Sequence, residues 1–134
     1  MRCSAVAEIN GFPDIELLVI GWMQSLFNVD EVRFVTDLPL NIDQTIVRVS
    51  AISGANRDIV VDRPIIDVDV FAADRTTASA AGRQIQAIFA GVRNLVTDNG
   101  VILRIDTITS PRWLPDINQE LSRNSASYEP HTRL

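Results

Sequence analysis

The stretch IIDVDVFAADRTTASAAGRQIQAIFAGV, residues 65–92, decides how this chain is read. It begins as an alternation: Ile66, Val68 and Val70 fall on one side, and Ile65, Asp67, Asp69 and Phe71 on the other, the period of a β-strand. Asp74 then stands where a helix N-cap belongs, and the apolar spacing changes to that of a helix. Ala78, Ala81, Ile85, Ile88, Phe89, Val92, Leu95 and Val96 form the predicted buried stripe, and Asp98-Asn99-Gly100 its end. The front of this helix is rich in Ala78, Ala80, Ala81 and Gly82, small enough to lie close to a sheet or a second helix.

Upstream, Gly11-Phe12-Pro13-Asp14 opens an earlier helix, with Asp14 and Glu16 at the positive end of its dipole. Ile15, Leu18, Val19, Trp22, Leu26 and Phe27 keep helical spacing, while Leu17, Ile20 and Met23 widen the stripe. A helix apolar on so many sides wants burial against a large sheet or a neighbouring subunit. Val32–Thr36 and Thr45–Ser53 read as strands, with Gly54–Asp58 as a loop and Ile59–Val61 as an extension of the next strand. Downstream, Val101–Ile108 is a further strand and Ser110–Leu121 an irregular segment. Ser125–Thr132 reads as an edge strand, because Pro130 cannot donate to a central ladder. The order α-β-β-β-α-β-β predicts a single α+β domain spanning residues 1–134: a largely antiparallel sheet with two amphipathic helices packed on one face. Residues 1–12 and 130–134 are expected to be extended or flexible ends. If the strands joined through the second helix are parallel neighbours, the crossover between them is right-handed.

Composition narrows the chemistry. All 12 basic residues are Arg, against 17 acids, for a net charge of −5. Without Lys there is no Schiff-base lysine, no P-loop lysine and no Ser–Lys dyad. One Cys and one His exclude a Cys/His zinc site and a disulfide framework. Cys3 reads as an inert free thiol of a reducing compartment. Ala5–Ile9 is too short for a signal peptide and is broken by Glu8, and no apolar run is long enough to span a membrane. These features place the chain in a cytosol-like environment. An acidic, Lys-free surface also suits a phosphate-gripping nucleic-acid binder poorly.

Asp67 and Asp69 sit on one face of a strand, the spacing by which metal nucleases hold Mg²⁺. Arg48, and Arg104 beside Asp106, offer a plainer account, cross-strand Arg–Asp pairs with no metal. His131, between Pro130 and Thr132, reads as a solvated strand residue. No G-x-S-x-G, G-x-G-x-x-G or Walker pattern occurs, so no catalytic residue, cofactor or metal is expected. Pro111-Arg112-Trp113-Leu114-Pro115 presents the residue types of interface hot spots on a stiffened excursion; Trp113 folding back onto the core is the equal alternative. Gly54–Pro64, carrying Arg57, Asp58, Asp62 and Arg63, is a second candidate contact element, with a solvated hairpin loop as the plain alternative for its charges.

Several segments taken in order resemble the tail terminator (tail completion) proteins of long-tailed phages of actinobacteria. They are Val32–Pro39, Val47–Gly54, Asp62-Arg63-Pro64, Asp67–Ala72 with the Ala-rich helix start, and Pro111–Asp116. Arg123, Ala126, Tyr128 and Glu129 complete the likeness, from which Pro130 departs. Arg in place of every Lys also fits a high-GC genome. The resemblance implies a non-enzymatic virion protein, assembled in the host cytoplasm at the head-proximal end of the tail. It would form a homo-oligomeric ring, typically a hexamer, that caps the tube and stops its polymerisation. Its expected partners are the major tail tube protein and a head-completion or connector protein, with no membrane. DNA would pass through the lumen without specific binding, which an acidic bias suits. The expected contact residues are Arg57, Asp58, Asp62, Arg63, Arg112, Trp113 and Leu114. A head-closure or head–tail adaptor is the nearest alternative, and a Mg²⁺ nuclease using Asp67 and Asp69 the alternative of another class.

Overall fold

In a computed structural model, which describes residues 14–39, 44–57, 61–98, 100–114 and 121–133, the 65–92 stretch forms the strand and helix its alternation requires. In chain order the elements are α1 (Ile15–Leu26), β1 (Val32–Val35), β2 (Thr45–Arg57), β3 (Val61–Ala72), α2 (Arg75–Ala90), β4 (Leu95–Thr97), β5 (Gly100–Leu114) and β6 (Ser122–Arg133). The six strands make one sheet in the order β1-β2-β3-β6-β5-β4. All neighbours are antiparallel except β1 and β2. Both helices bury their apolar stripes in one shared core, α1 over β1 and β2, α2 over β3, β5 and β6. The α+β class and the one-faced helical layer are therefore as the sequence predicts.

Local chemistry starts both helices. Asp14 caps α1, accepting from the backbone N–H groups of Glu16 and Leu17 at 3.0 and 3.4 Å. Asp74 caps α2, accepting from Thr77 N–H at 2.8 Å and from the Thr77 hydroxyl at 3.0 Å. Those bonds to the charged form, the backbone one first, hold the Asp74 carboxyl below its ordinary pKa. Gly82 lies where α2 crosses the sheet: a Cβ there would collide with the side-chain oxygen of Asn124, so the small-residue front is a contact requirement. At the centre, Phe89 meets Tyr128 edge-on at 4.8 Å and stacks on Trp22 at 5.8 Å. Burial pushes the Tyr128 hydroxyl up to about 12.

Four local expectations change. First, α2 stops at Ala90, where the N–H of Gly91 closes the last turn on Ile88 and Phe89 carbonyls, and Asn94 reverses the chain at φ 51°. Leu95 and Val96 continue the helical spacing in sequence but form the short edge strand β4, with Val96 exposed. Second, Gly54–Arg57 is no loop: β2 runs on to Arg57, pairing Gly54 with Pro64 and Arg57 with Asp62 across a register shift. Third, the Ser110–Leu114 part of the irregular segment continues β5, with register shifts between Thr107 and Arg112 that absorb Pro111. Fourth, β6 is central, between β3 and β5, so Pro130 to Arg133 belong to the sheet and not to a free end. The β3–β6 ladder skips from Asp62↔Thr132 to Ile66↔Tyr128, which sets Pro64 opposite Pro130 inside the gap. Neither residue has an N–H to lose, so the two prolines share one interruption. Because β6 lies between them, β3 and β5 are not neighbours, and the crossover condition does not apply. Cys3, Asp58 and Pro115 lie outside the described residues.

Candidate interaction surfaces

The face of the sheet that neither described helix covers carries the polar side chains. Register places Arg48 opposite Asp69, Asp69 opposite Ser125, and Phe71 opposite Arg123. Asp69 is consequently clasped from both neighbouring strands, by Arg48 at 2.8 Å and Arg123 at 3.5 Å, and its side chain is only 4% exposed. The same two guanidinium groups lie over the Phe71 ring, 5.3 and 5.9 Å from its centroid. Phe71 and Ile46, opposite one another, are buried on a face that no helix among the described residues covers. The Nε atoms of both arginines are buried without a hydrogen-bond partner. Asp67 accepts a 2.6 Å hydrogen bond from the Ser127 hydroxyl. The Asp67/Asp69 spacing is thus spent on cross-strand pairing, as the Arg–Asp reading predicts for Asp69.

A second cluster lies along β5 and β6, where Arg104 is opposite His131 and Asp106 opposite Glu129. His131 is not solvated. Its side chain is 11% exposed, and its Nε2 lies 3.1 Å from Asp106 Oδ2 and 3.2 Å from Glu129 Oε1. Arg104 approaches the same Asp106 oxygen at 3.4 Å. The signal was present in the sequence, since Arg104/Asp106 and Glu129/His131 are both same-face i, i+2 pairs. It was hidden by Pro130, which argued β6 onto an edge.

The expected contact residues separate into two groups. The backbones of Arg57 and Asp62 are paired at the connecting end of the β2–β3 hairpin, where Val61 pairs with Arg133. Arg63 is half-buried. Arg112, Trp113 and Leu114 sit at the other end, paired with Ser125, Asn124 and Arg123. Trp113 is 44% exposed and lies under the Arg75 guanidinium at 4.7 Å, so it is not a lid on the core. Along β3 the first group stands at Asp62 and Arg63, and the second is level with Asp69–Phe71 through Ser125–Arg123, so the two are roughly 20–30 Å apart at the strand rise per residue. The structure does not bring them together. Between α1, α2 and β4, a groove of about 390 Å³ is lined by Trp22, Ala87, Ile88, Val92 and Leu95. Leu17 and Leu26 of α1 remain exposed beyond its buried stripe. No helix among the described residues is long and apolar enough to cross a membrane.

No protein family and no curated protein matches the sequence. Among solved structures, the chain is similar to a chain from the virion of a native gene transfer agent particle, with a TM-score of 0.61. The likeness covers 89% of this chain and 90% of that one at 16% identity, and what it establishes is a common fold.

Proposed function

We propose that this chain is a structural protein of a phage-type virion, a tail terminator that closes into a ring on the finished tail tube and offers its other side to the head-completion protein. The observation that carries the reading is the near end-to-end fold likeness to a gene transfer agent virion chain. The ordered likeness of Val32–Pro39, Asp67–Ala72 and Pro111–Asp116 to tail terminators points to the same class.

The geometry supports this reading physically. A closed ring is built from a heterologous interface, in which two different patches of one subunit meet. The hairpin end around Arg57–Arg63 and the Arg112-Trp113-Leu114 end are two such patches, far enough apart for different neighbours. Leu17 and Leu26 leave apolar area on the helical side for a further contact. The mechanism is surface complementarity and ring closure, without bond chemistry. The −5 net charge would keep passing DNA from adhering to the lumen.

Deleting the gene from its phage tests the reading directly. Overlong, irregular tails that fail to join heads are expected. Tails of normal length that fail to join would overturn the terminator role in favour of a head–tail adaptor. Trp113→Ala, made in the same phage, is expected to reproduce the loss of joining or of length control while leaving the subunit folded.

A further inference from the structure

We propose that Asp106, Glu129 and His131 form a binding site for a divalent transition-metal ion, zinc in the first instance, on the helix-free face between β5 and β6. Three observations converge on it. Asp106 and Glu129 are directly opposed on antiparallel strands, an arrangement that repels unless a cation lies between the carboxylates. Among the described residues, Asp106 is the one carboxylate that Arg104 reaches. Glu129, whose side chain is 25% exposed, has His131 as its ion-pair partner among the described residues.

The imidazole geometry adds the second point. One nitrogen, Nε2, faces two carboxylate oxygens at 3.1 and 3.2 Å. Nε2 carries at most one hydrogen, so it serves both oxygens only by sharing that hydrogen. As a bare lone pair it would face two anions. A metal ion in place of the hydrogen satisfies all three atoms together. The third point is spacing. Zinc binds imidazole nitrogen and carboxylate oxygen at about 2.0–2.2 Å, which puts neighbouring ligand atoms about 3 Å apart around the ion. The three ligand atoms already lie within 4.8 Å of one another.

The donor set, one imidazole and two carboxylates, suits zinc, cobalt or manganese in preference to a soft thiophilic ion. It lies outside the Cys/His pattern that the composition excludes. Asp106 is half-exposed and gives an entry route from solvent, with water completing the coordination. Arg104 would stay as the outer hydrogen-bond partner that orients the Asp106 carboxylate. The bound ion would clip β5 to β6 across the Arg104↔His131 and Asp106↔Glu129 steps.

His131 is the chain's one histidine, so its ring protons are an unambiguous NMR reporter. Full-length protein without a histidine tag, stripped with chelator, is titrated with Zn²⁺ and separately with Co²⁺. Expected are a one-to-one calorimetric end point, a saturable shift of the His131 ring signals with zinc, and their broadening with cobalt. Glu129→Gln keeps the side-chain shape and is expected to weaken zinc binding at least about tenfold. Asp67→Asn, elsewhere on the same face, is expected to leave it unchanged. Ring signals that do not move with one equivalent of zinc would overturn the site, as would a Glu129→Gln variant that binds zinc as tightly as the parent. The outcome is independent of the ring-forming role, which is read from tail length.

Discussion

The two faces of this sheet exclude water by different means. On the helical face, β3 and β6 place Val68, Val70, Ala126 and Tyr128 under α1 and α2, and contact is between apolar surfaces. On the other face the same strands carry Asp69, Phe71, Arg123 and Ser125, yet Asp69 and Phe71 are as buried as the core. There the cover is two guanidinium groups spread over a phenyl ring and anchored by one carboxylate. The helical face depends on apolar side chains of suitable volume, whereas the bare face depends on a charge balance of two cations, one anion and one ring. Along β5 and β6 that balance is reversed, with two carboxylates around one imidazole.

Each face can be broken separately. Phe89→Ala removes the ring between Trp22 and Tyr128 and is expected to cost about 3–5 kcal/mol in urea unfolding, the largest loss in the set. Asp69→Ala leaves Arg48 and Arg123 facing each other without their anion, for an expected loss of about 3 kcal/mol. A loss below about 1 kcal/mol would mean that the guanidinium groups cover Phe71 without the carboxylate's help.

Alkaline titration separates the faces by pH. Tyr128 is the chain's one tyrosine, and its hydroxyl titrates near 12 in the folded protein against 10 in an exposed chain. The folded state therefore holds its proton longer, and this contribution to stability falls as pH rises from about 10 to about 12. Tyrosinate absorbance should appear together with unfolding, and Tyr128→Phe should flatten that part of the stability profile. Asp67→Asn keeps an acceptor for Ser127 and is expected to change stability by no more than about 0.5 kcal/mol. A larger loss would make Asp67 a second charge anchor of the bare face.

The helical face was the more legible of the two. Strand alternation at Ile65–Ala72 and the Asp74 cap are local signals, and both hold in the folded chain. The Arg48–Asp69 pair could also be read from alternation, but Arg123 as the second arm could not, because it depends on β6 lying beside β3. Three errors have one physical origin, which is that long-range pairing overrides local preference. Gly54–Arg57 has turn-like composition but is held extended by Pro64 and Asp62 across the hairpin. Leu95 and Val96 keep helical phase after Gly91 and Asn94 have ended the helix. Pro130 argues for an edge until Pro64 stands opposite it. The His131 cluster was lost with that last error.

The central place of β6 also sets an order of assembly on the ribosome. Without β6, the strand order leaves β1, β2 and β3 as one paired set and β4 and β5 as another, with no backbone pairing between them. β3 and β5 then each present a long unpaired edge, the kind of surface that recruits strands from other chains. Insertion of β6 closes both edges, through partners some 50–72 residues away on the β3 side. A nascent chain stalled before Ser122 is therefore the form most prone to aggregate, and folding is completed by capture of its last described strand.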